Sequence, residues 1–140
     1  MLGSATWSRK GCAIDETVPV KERRLIGYWR NEQHPEYPDP TDLVDESWDA
    51  EERHMVWSYL CSGTMVVSYM GLSPCRICGK HNGALEFSDG TYQWPEGLAH
   101  YVYDHAVRLP PELVEHAIKQ LDSLEAGSAT LDWWLAVTRH

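Results

Sequence analysis

An α+β fold, a small antiparallel sheet beside three to four helices, is predicted by three features of this 140-residue chain. Apolar residues recur at helical spacing after Asp49 and again after Pro111. A β-hairpin is written in "ALEFSDGTYQW" at 84–94, and just before it "SPCRICGKHNG" at 73–83 sets two cysteines two residues apart in a turn-rich segment. The length suits one domain with its own core.

Residues 1–20 are small and polar with no sustained period, so a flexible N-terminal tail is expected there and a single α+β domain over 21–140. "RRLIGYW" at 23–29 is β-branched and aromatic enough for a short strand or a docked extended segment. Pro35, Pro38 and Pro40 make 31–48 an irregular loop, because each proline fixes φ and keeps its predecessor out of α geometry. One short helical turn is expected near Thr41–Val44. Asp49 stands at an N-cap position with Glu52 three residues on, a variant of the capping box. Met55, Val56, Tyr59 and Leu60 then form the apolar stripe, and Gly63 stops the helix.

"TMVVSYMG" at 64–71 reads as a strand. In the hairpin that follows, Leu85 and Phe87 alternate with Glu86, and Asp89-Gly90 is a two-residue turn signal because both central positions favour positive φ. Pro95 ends the second strand and suits the first position of a helix running to about Val107. Pro111 opens the next helix, with Val114, Ala117, Ile118, Leu121 and Leu124 on one face and Gly127 as its stop. "TLDWWLAV" near the C-terminus reads as a short helix capped by Thr130, with a strand as the alternative. Its Trp133-Trp134 pair is expected to close the core, with an interface as the alternative.

Composition excludes several function classes. The net charge of −9, from 21 acidic and 12 basic residues, disfavours direct nucleic-acid binding and docking to anionic membranes. The N-terminus carries no apolar signal-peptide core, and no run approaches the roughly 18 apolar residues of a membrane span. A cytoplasmic location is therefore expected, where cysteines serve more often as metal ligands or free thiols than in disulfides. Seven Trp and seven Tyr against a single Phe suit half-buried walls and interfaces as well as a core of large residues.

Cys75-x-x-Cys78 followed by Gly79 is the half-site spacing for zinc, since two thiolates so placed reach one tetrahedral ion. His100 and His105, in "LAHYVYDH", can complete the set. Knuckle, hairpin and a helix returning ligands to the knuckle is the order of a treble-clef zinc module. One geometric objection stands: five residues advance a helix by about 500°, leaving the two imidazoles about 140° apart around its axis. Cys61 and His81 are competitors for the third and fourth positions. Two buried thiols with unrelated histidines are the plain alternative. A redox role is disfavoured because "GKHNG" is turn chemistry and not a helix start that would lower a thiol pKa.

With four ligands available a closed structural site is favoured, and a catalytic one would need three ligands plus water. In that case Glu96 or Asp104 would act as the base. Half of a deaminase signature is echoed in Pro74-Cys75-x-x-Cys78, but no His-x-Glu precedes it.

"CRICGKHNGALEFSDGTYQWPEGLAHYVYDHAVRLP" at 75–110, together with "IGYW" at 26–29, resembles a group of small bacterial proteins without assigned activity. They share a Cys-Arg-x-Cys-Gly knuckle, an Asp-Gly-x-Tyr-x-Trp-Pro hairpin and a Gly-Leu-x-His-Tyr helix. The resemblance implies the knuckle–hairpin–helix unit and a bacterial source. Two functions are carried forward. One is a non-enzymatic, zinc-stabilised binding protein with an acidic, aromatic surface for a basic protein partner, such as an immunity or accessory protein of a bacterial toxin or defence system. The other is a small zinc-dependent hydrolase or deaminase.

Overall fold

The structure, a computed structural model, describes residues 21–68 and 73–139, with two-residue strands β1 (Thr6–Trp7) and β2 (Ala13–Ile14) pairing antiparallel before them. The expectation of a flexible tail over the rest of 1–20, and the end of the strand read at 64–71, fall outside the described residues. The domain is α+β. Strand β3 is Arg24–Leu25, β4 Thr64–Ser68, β5 Leu85–Ser88 and β6 Tyr92–Pro95; helices are α1 (Ala50–Cys61), α2 (Leu98–His105), α3 (Pro111–Ala126) and α4 (Asp132–Thr138).

The four-stranded sheet runs β3-β6-β5-β4, and it is mixed where an antiparallel sheet was expected. β3 lies parallel to β6, with Arg24 opposite Tyr92 and Leu25 opposite Gln93, and the amides of Arg24 and Ile26 donate to Thr91 and Gln93 carbonyls at 2.9 and 3.0 Å. A hairpin signal fixes only its own two strands. The long connection between β3 and β6, which carries α1, β4 and the knuckle, leaves β3 free to enter in the parallel sense.

Local signals account for most element ends. Asp49 caps α1 by accepting the Glu52 amide at 2.9 Å, but Glu52 does not close the box. Its carboxylate instead accepts the indole N–H of buried Trp48 at 2.8 Å. Asp39 caps a 3-10 turn at Pro40–Leu43, one residue before the short helical turn expected near Thr41–Val44. Pro95 corrects the helix reading: it is the last residue of β6, paired with Glu86, and α2 begins only at Leu98 after Gly97. At the hairpin tip only Gly90 takes positive φ, at +94°. Asp89 closes the turn through its carboxylate, which accepts the amides of Thr91 and Tyr92, both at 2.9 Å.

Trp94 anchors the core. It is fully buried, donates its indole N–H to the Leu60 carbonyl at 3.1 Å, and lies 5.1 Å from the Tyr59 ring. Val56 and Leu60 of α1, Leu98 and Val102 of α2, and Leu113 and Ala117 of α3 enclose it. Gly63 sits against this indole so tightly that a Cβ there would fall 2.7 Å from Trp94 Cζ2 and 2.8 Å from Phe87 Cβ. The hairpin tip is tied to both long helices by the same Asp89, whose Oδ2 accepts from Tyr59 OH and His116 Nε2, each at 2.7 Å. Burial opposes its charge, but the Tyr92 amide, His116, Tyr59 and the Thr91 amide together hold its carboxyl down to about 2.

Among the described residues no helix is long and apolar enough to cross a membrane. The C-terminal expectation is corrected. α4 is a helix, with Thr130 Oγ1 accepting the Asp132 amide at 3.2 Å, but it is wholly exposed and its tryptophans do not close the core.

Two stability outcomes follow. Gly63→Ala should cost about 1–3 kcal/mol, because the overlap falls on a packed indole and a β-carbon with no room to retreat; an unchanged urea midpoint would contradict that packing. Asp89→Asn should cost about 2 kcal/mol at neutral pH, since it weakens several bonds at once. A depressed folded-state pKa stabilises fully above the unfolded value of about 3.9 and is lost as pH falls through the folded one. The gap between wild type and Asp89→Asn should therefore hold down to about pH 4 and narrow toward pH 2.

Candidate metal centre

The knuckle is built by backbone. The Cys75 amide donates to the Lys80 carbonyl at 2.8 Å, the Gly79 amide donates back to the Cys75 carbonyl at 2.9 Å, and Gly79 sits at φ +75°. Only a residue tolerant of positive φ lets the chain curl under the two sulfurs this way. Pro74 and His81 then bridge as an antiparallel pair that closes the loop. The N–H groups inside the curl point at sulfur: the Ile77 amide reaches Cys75 Sγ at 3.4 Å. Burial pushes the Cys75 thiol up, but the Cys78 and Ile77 amides, the Cys78 thiol and the Tyr101 hydroxyl outweigh it, and its pKa lies below the ordinary thiol value. Such an environment favours the thiolate, the form that binds metal.

α2 supplies the other half. It follows the hairpin directly, and its Leu98, Tyr101 and Val102 face the core. The opposite side carries His100 toward the knuckle, its Nε2 3.4 Å from Cys78 Sγ. Asp104, one turn on, takes the other ring nitrogen: His100 Nδ1 and Asp104 Oδ2 are 2.9 Å apart. A proton held on Nδ1 by that carboxylate leaves the Nε2 lone pair directed at the cysteines. His105 is the last residue of α2, and its ring centroid lies 4.9 Å from that of His100. The chain leaves the helix at once through Ala106 in the left-handed region, φ +50°.

One ligand atom from each of Cys75, Cys78, His100 and His105 falls within 4.8 Å of all the others. The four sequence-predicted residues are thus brought together, close enough to bind one metal ion. His105 Nε2 is buried with no hydrogen-bond partner. A buried imidazole nitrogen without a partner is costly, and a cation at the cluster would satisfy it. The donor chemistry, two thiolates and two imidazoles, fits a borderline-soft ion of tetrahedral preference.

The other candidates go elsewhere. Cys61, at the exposed end of α1, and the exposed His81 stand outside the four-residue group. Glu96 is committed to backbone, its Oε1 accepting the amides of Ala84 and Leu85 at 2.9 and 3.2 Å. Asp104 orients His100. Sequence reasoning missed Tyr101, whose hydroxyl accepts the Arg76 amide at 2.8 Å and also bonds Cys75, bracing the knuckle from α2. Its only signal was the position next to a candidate ligand. Also missed was the ring cluster of exposed His54 and Tyr103 with half-buried Trp57 across α1 and α2, with Trp57 and Tyr103 centroids 5.1 Å apart.

Compared with family models, curated proteins and solved structures, the chain matches none of them.

Removing the carboxylate behind His100 isolates its contribution, because Asp104 is half exposed and outside the core. Asp104→Ala should weaken metal affinity about tenfold or more while the fold persists. Competition against a chromophoric chelator measures it, and unchanged affinity would remove Asp104 from the site.

Proposed function

We propose that this chain is a non-enzymatic, zinc-stabilised binding protein whose metal closes a treble-clef-like knuckle–hairpin–helix unit. The observation that carries the reading is the complete donor set: four protein ligands with both nearby carboxylates already engaged. A structural zinc is four-coordinate, whereas a catalytic one leaves a position for water and needs a base beside it. Zinc bonds of about 2.3 Å to sulfur and 2.0 Å to nitrogen imply a tetrahedral S···N edge of roughly 3.5 Å. The Cys78–His100 separation of 3.4 Å agrees with that edge. Glu96 and Asp104, the bases a hydrolase or deaminase would use, each have another task, which weighs against that alternative.

Binding is supported by the ring cluster His54–Trp57–Tyr103, with Glu51 one turn before His54. Aromatic faces rimmed by carboxylates attract Lys and Arg side chains through cation–π and charge terms together. A basic protein partner in the bacterial cytoplasm, as a toxin is to its immunity protein, fits a chain of net charge −9. Direct nucleic-acid or membrane binding does not.

The first test is metal content on untagged protein. One zinc per chain is expected, lost together with the folded state in Cys75→Ser and His100→Ala; carefully prepared protein with no metal would sink the proposal. A lysine- and arginine-rich probe peptide should then bind the zinc-loaded protein in a salt-sensitive manner. Trp57→Ala/Tyr103→Ala should weaken that binding about tenfold, and equal affinity in the variant would exclude this face.

A further inference from the structure

The two knuckle sulfurs are close together and unequal in access. Their Sγ atoms lie within 4.8 Å of each other, and the Cys78 side chain bonds that of Cys75. Cys75 is buried, whereas Cys78 is exposed. The Gly79 amide closes the turn onto the Cys75 carbonyl at 2.9 Å, and the ends of a four-residue turn such as 75–78 stand less than about 7 Å apart. A disulfide takes Cα atoms roughly 4.4–6.8 Å apart, so these sulfurs can join without opening the knuckle.

Their surroundings favour oxidation. Arg76 lies between them in sequence, its guanidinium reaching the Arg30 carbonyl, and exposed Lys80 follows two residues after Cys78. The nearby carboxylates are engaged, Glu96 by the Ala84 and Leu85 amides and Asp104 by His100. Cysteines that oxidise readily sit in accessible, electropositive settings of this kind. A catalytic redox pair also needs a helix start beneath its thiols, which this turn lacks. A pair that is merely oxidised needs only proximity and access.

We infer that the knuckle releases its metal when hydrogen peroxide oxidises Cys75 and Cys78 to a disulfide. The inference rests on the zinc reading above and gives that site a regulation. The Cys78 thiolate attacks one peroxide oxygen, the O–O bond breaks, and the departing hydroxide takes a proton to become water. The Cys75 thiolate then attacks the resulting sulfenic sulfur. The S–S bond forms as the sulfenic oxygen leaves, is protonated and becomes a second water. Two electrons pass from the sulfurs to the peroxide, and solvent supplies the two protons. The disulfide offers no thiolate, and the two imidazoles of His100 and His105 are too few for a four-coordinate ion. Oxidation thus unties α2 from the knuckle, and a dithiol that reduces the bond restores the donors.

The test uses the full-length chain carrying Cys12→Ser/Cys61→Ser, in which the knuckle holds the only thiols, with the wild-type chain run in parallel. Each is loaded with zinc, freed of excess metal and treated with hydrogen peroxide beside a chromophoric chelator. Zinc release should run more than about tenfold faster than without peroxide. Mass spectrometry should find one Cys75–Cys78 disulfide for each ion released, and reduction with a dithiol should restore zinc binding. A wild-type chain that takes up no zinc overturns the metal centre itself, and this inference with it. Protein that binds zinc and releases it no faster under peroxide overturns this inference alone. So does release without the disulfide, whether the sulfurs stay reduced or pass on to sulfinic and sulfonic acids.

Discussion

The register of α2 against the knuckle is the constraint on which the rest depends. Eight residues must serve two surfaces at once: Leu98, Tyr101 and Val102 fill the core, while His100 and His105 meet Cys75 and Cys78. A slip of one residue would bury a histidine and expose Val102. The core side sets the register, because Leu98 and Val102 are among the most deeply buried side chains and each contributes on the order of 2 kcal/mol through burial. Packing thereby places the two histidines, while an ion held by the four donors would tie the helix to the knuckle. Asp104 completes the arrangement from the same helix, one turn beyond the histidine it orients.

What could be read from the sequence was what is local. The knuckle declares itself because its hydrogen bonds close within a few residues and Gly79 supplies the one required backbone conformation. The hairpin and the α1 and α3 boundaries are local in the same sense. The geometric objection to His105 failed for a specific reason. It treated the helix as ideal and its side chains as radial spokes, whereas His105 ends α2 and the chain turns away at Ala106, so a flexible side chain covers the remaining angle. Asp104 was read only as a base for the catalytic alternative, and the structure sets its carboxylate against His100 Nδ1. Spacing places a carboxylate near a histidine but does not say which ring nitrogen it meets.

Non-local choices were invisible. The parallel entry of β3 depends on a connection too long for any periodicity to encode. Pro95 satisfies both the last position of a strand and the first of a helix, and pairing with Glu86 decided it. Glu86 itself inverts the expected hairpin pattern, being 6% exposed where its apolar neighbours Leu85 and Phe87 are only partly covered. The Tyr28 hydroxyl and Gln93 side chain both donate to Oε1. Tyr28 comes from a segment remote in sequence, so no pattern within 84–95 could have announced it. The exposed tryptophans of α4 belong here too. An apolar segment is read as core by default, and only the geometry separates burial from display.

The candidate metal centre and an apolar groove walled by Leu25, Ile26, Trp29, Leu43, Leu109 and Pro110 are joined by one wall. Trp29 lines the groove and meets Tyr101 edge to face, ring centroids 5.3 Å apart and planes at 68°. Tyr101 in turn braces the knuckle through the Arg76 amide and Cys75, and the Arg76 guanidinium reaches back to the Arg30 carbonyl, one residue beyond Trp29. These contacts make a closed circuit from groove wall to helix to knuckle and back. An aromatic edge contact adds about 1 kcal/mol beyond the area it buries, too little to hold a loop segment alone. Held at two points by a braced helix and knuckle, the segment has less freedom left to lose when a ligand arrives, and part of the cost of ordering it is met in folding and not in binding. A rigid wall of this kind explains how a prolyl, otherwise irregular stretch of chain presents a defined apolar groove without secondary structure of its own.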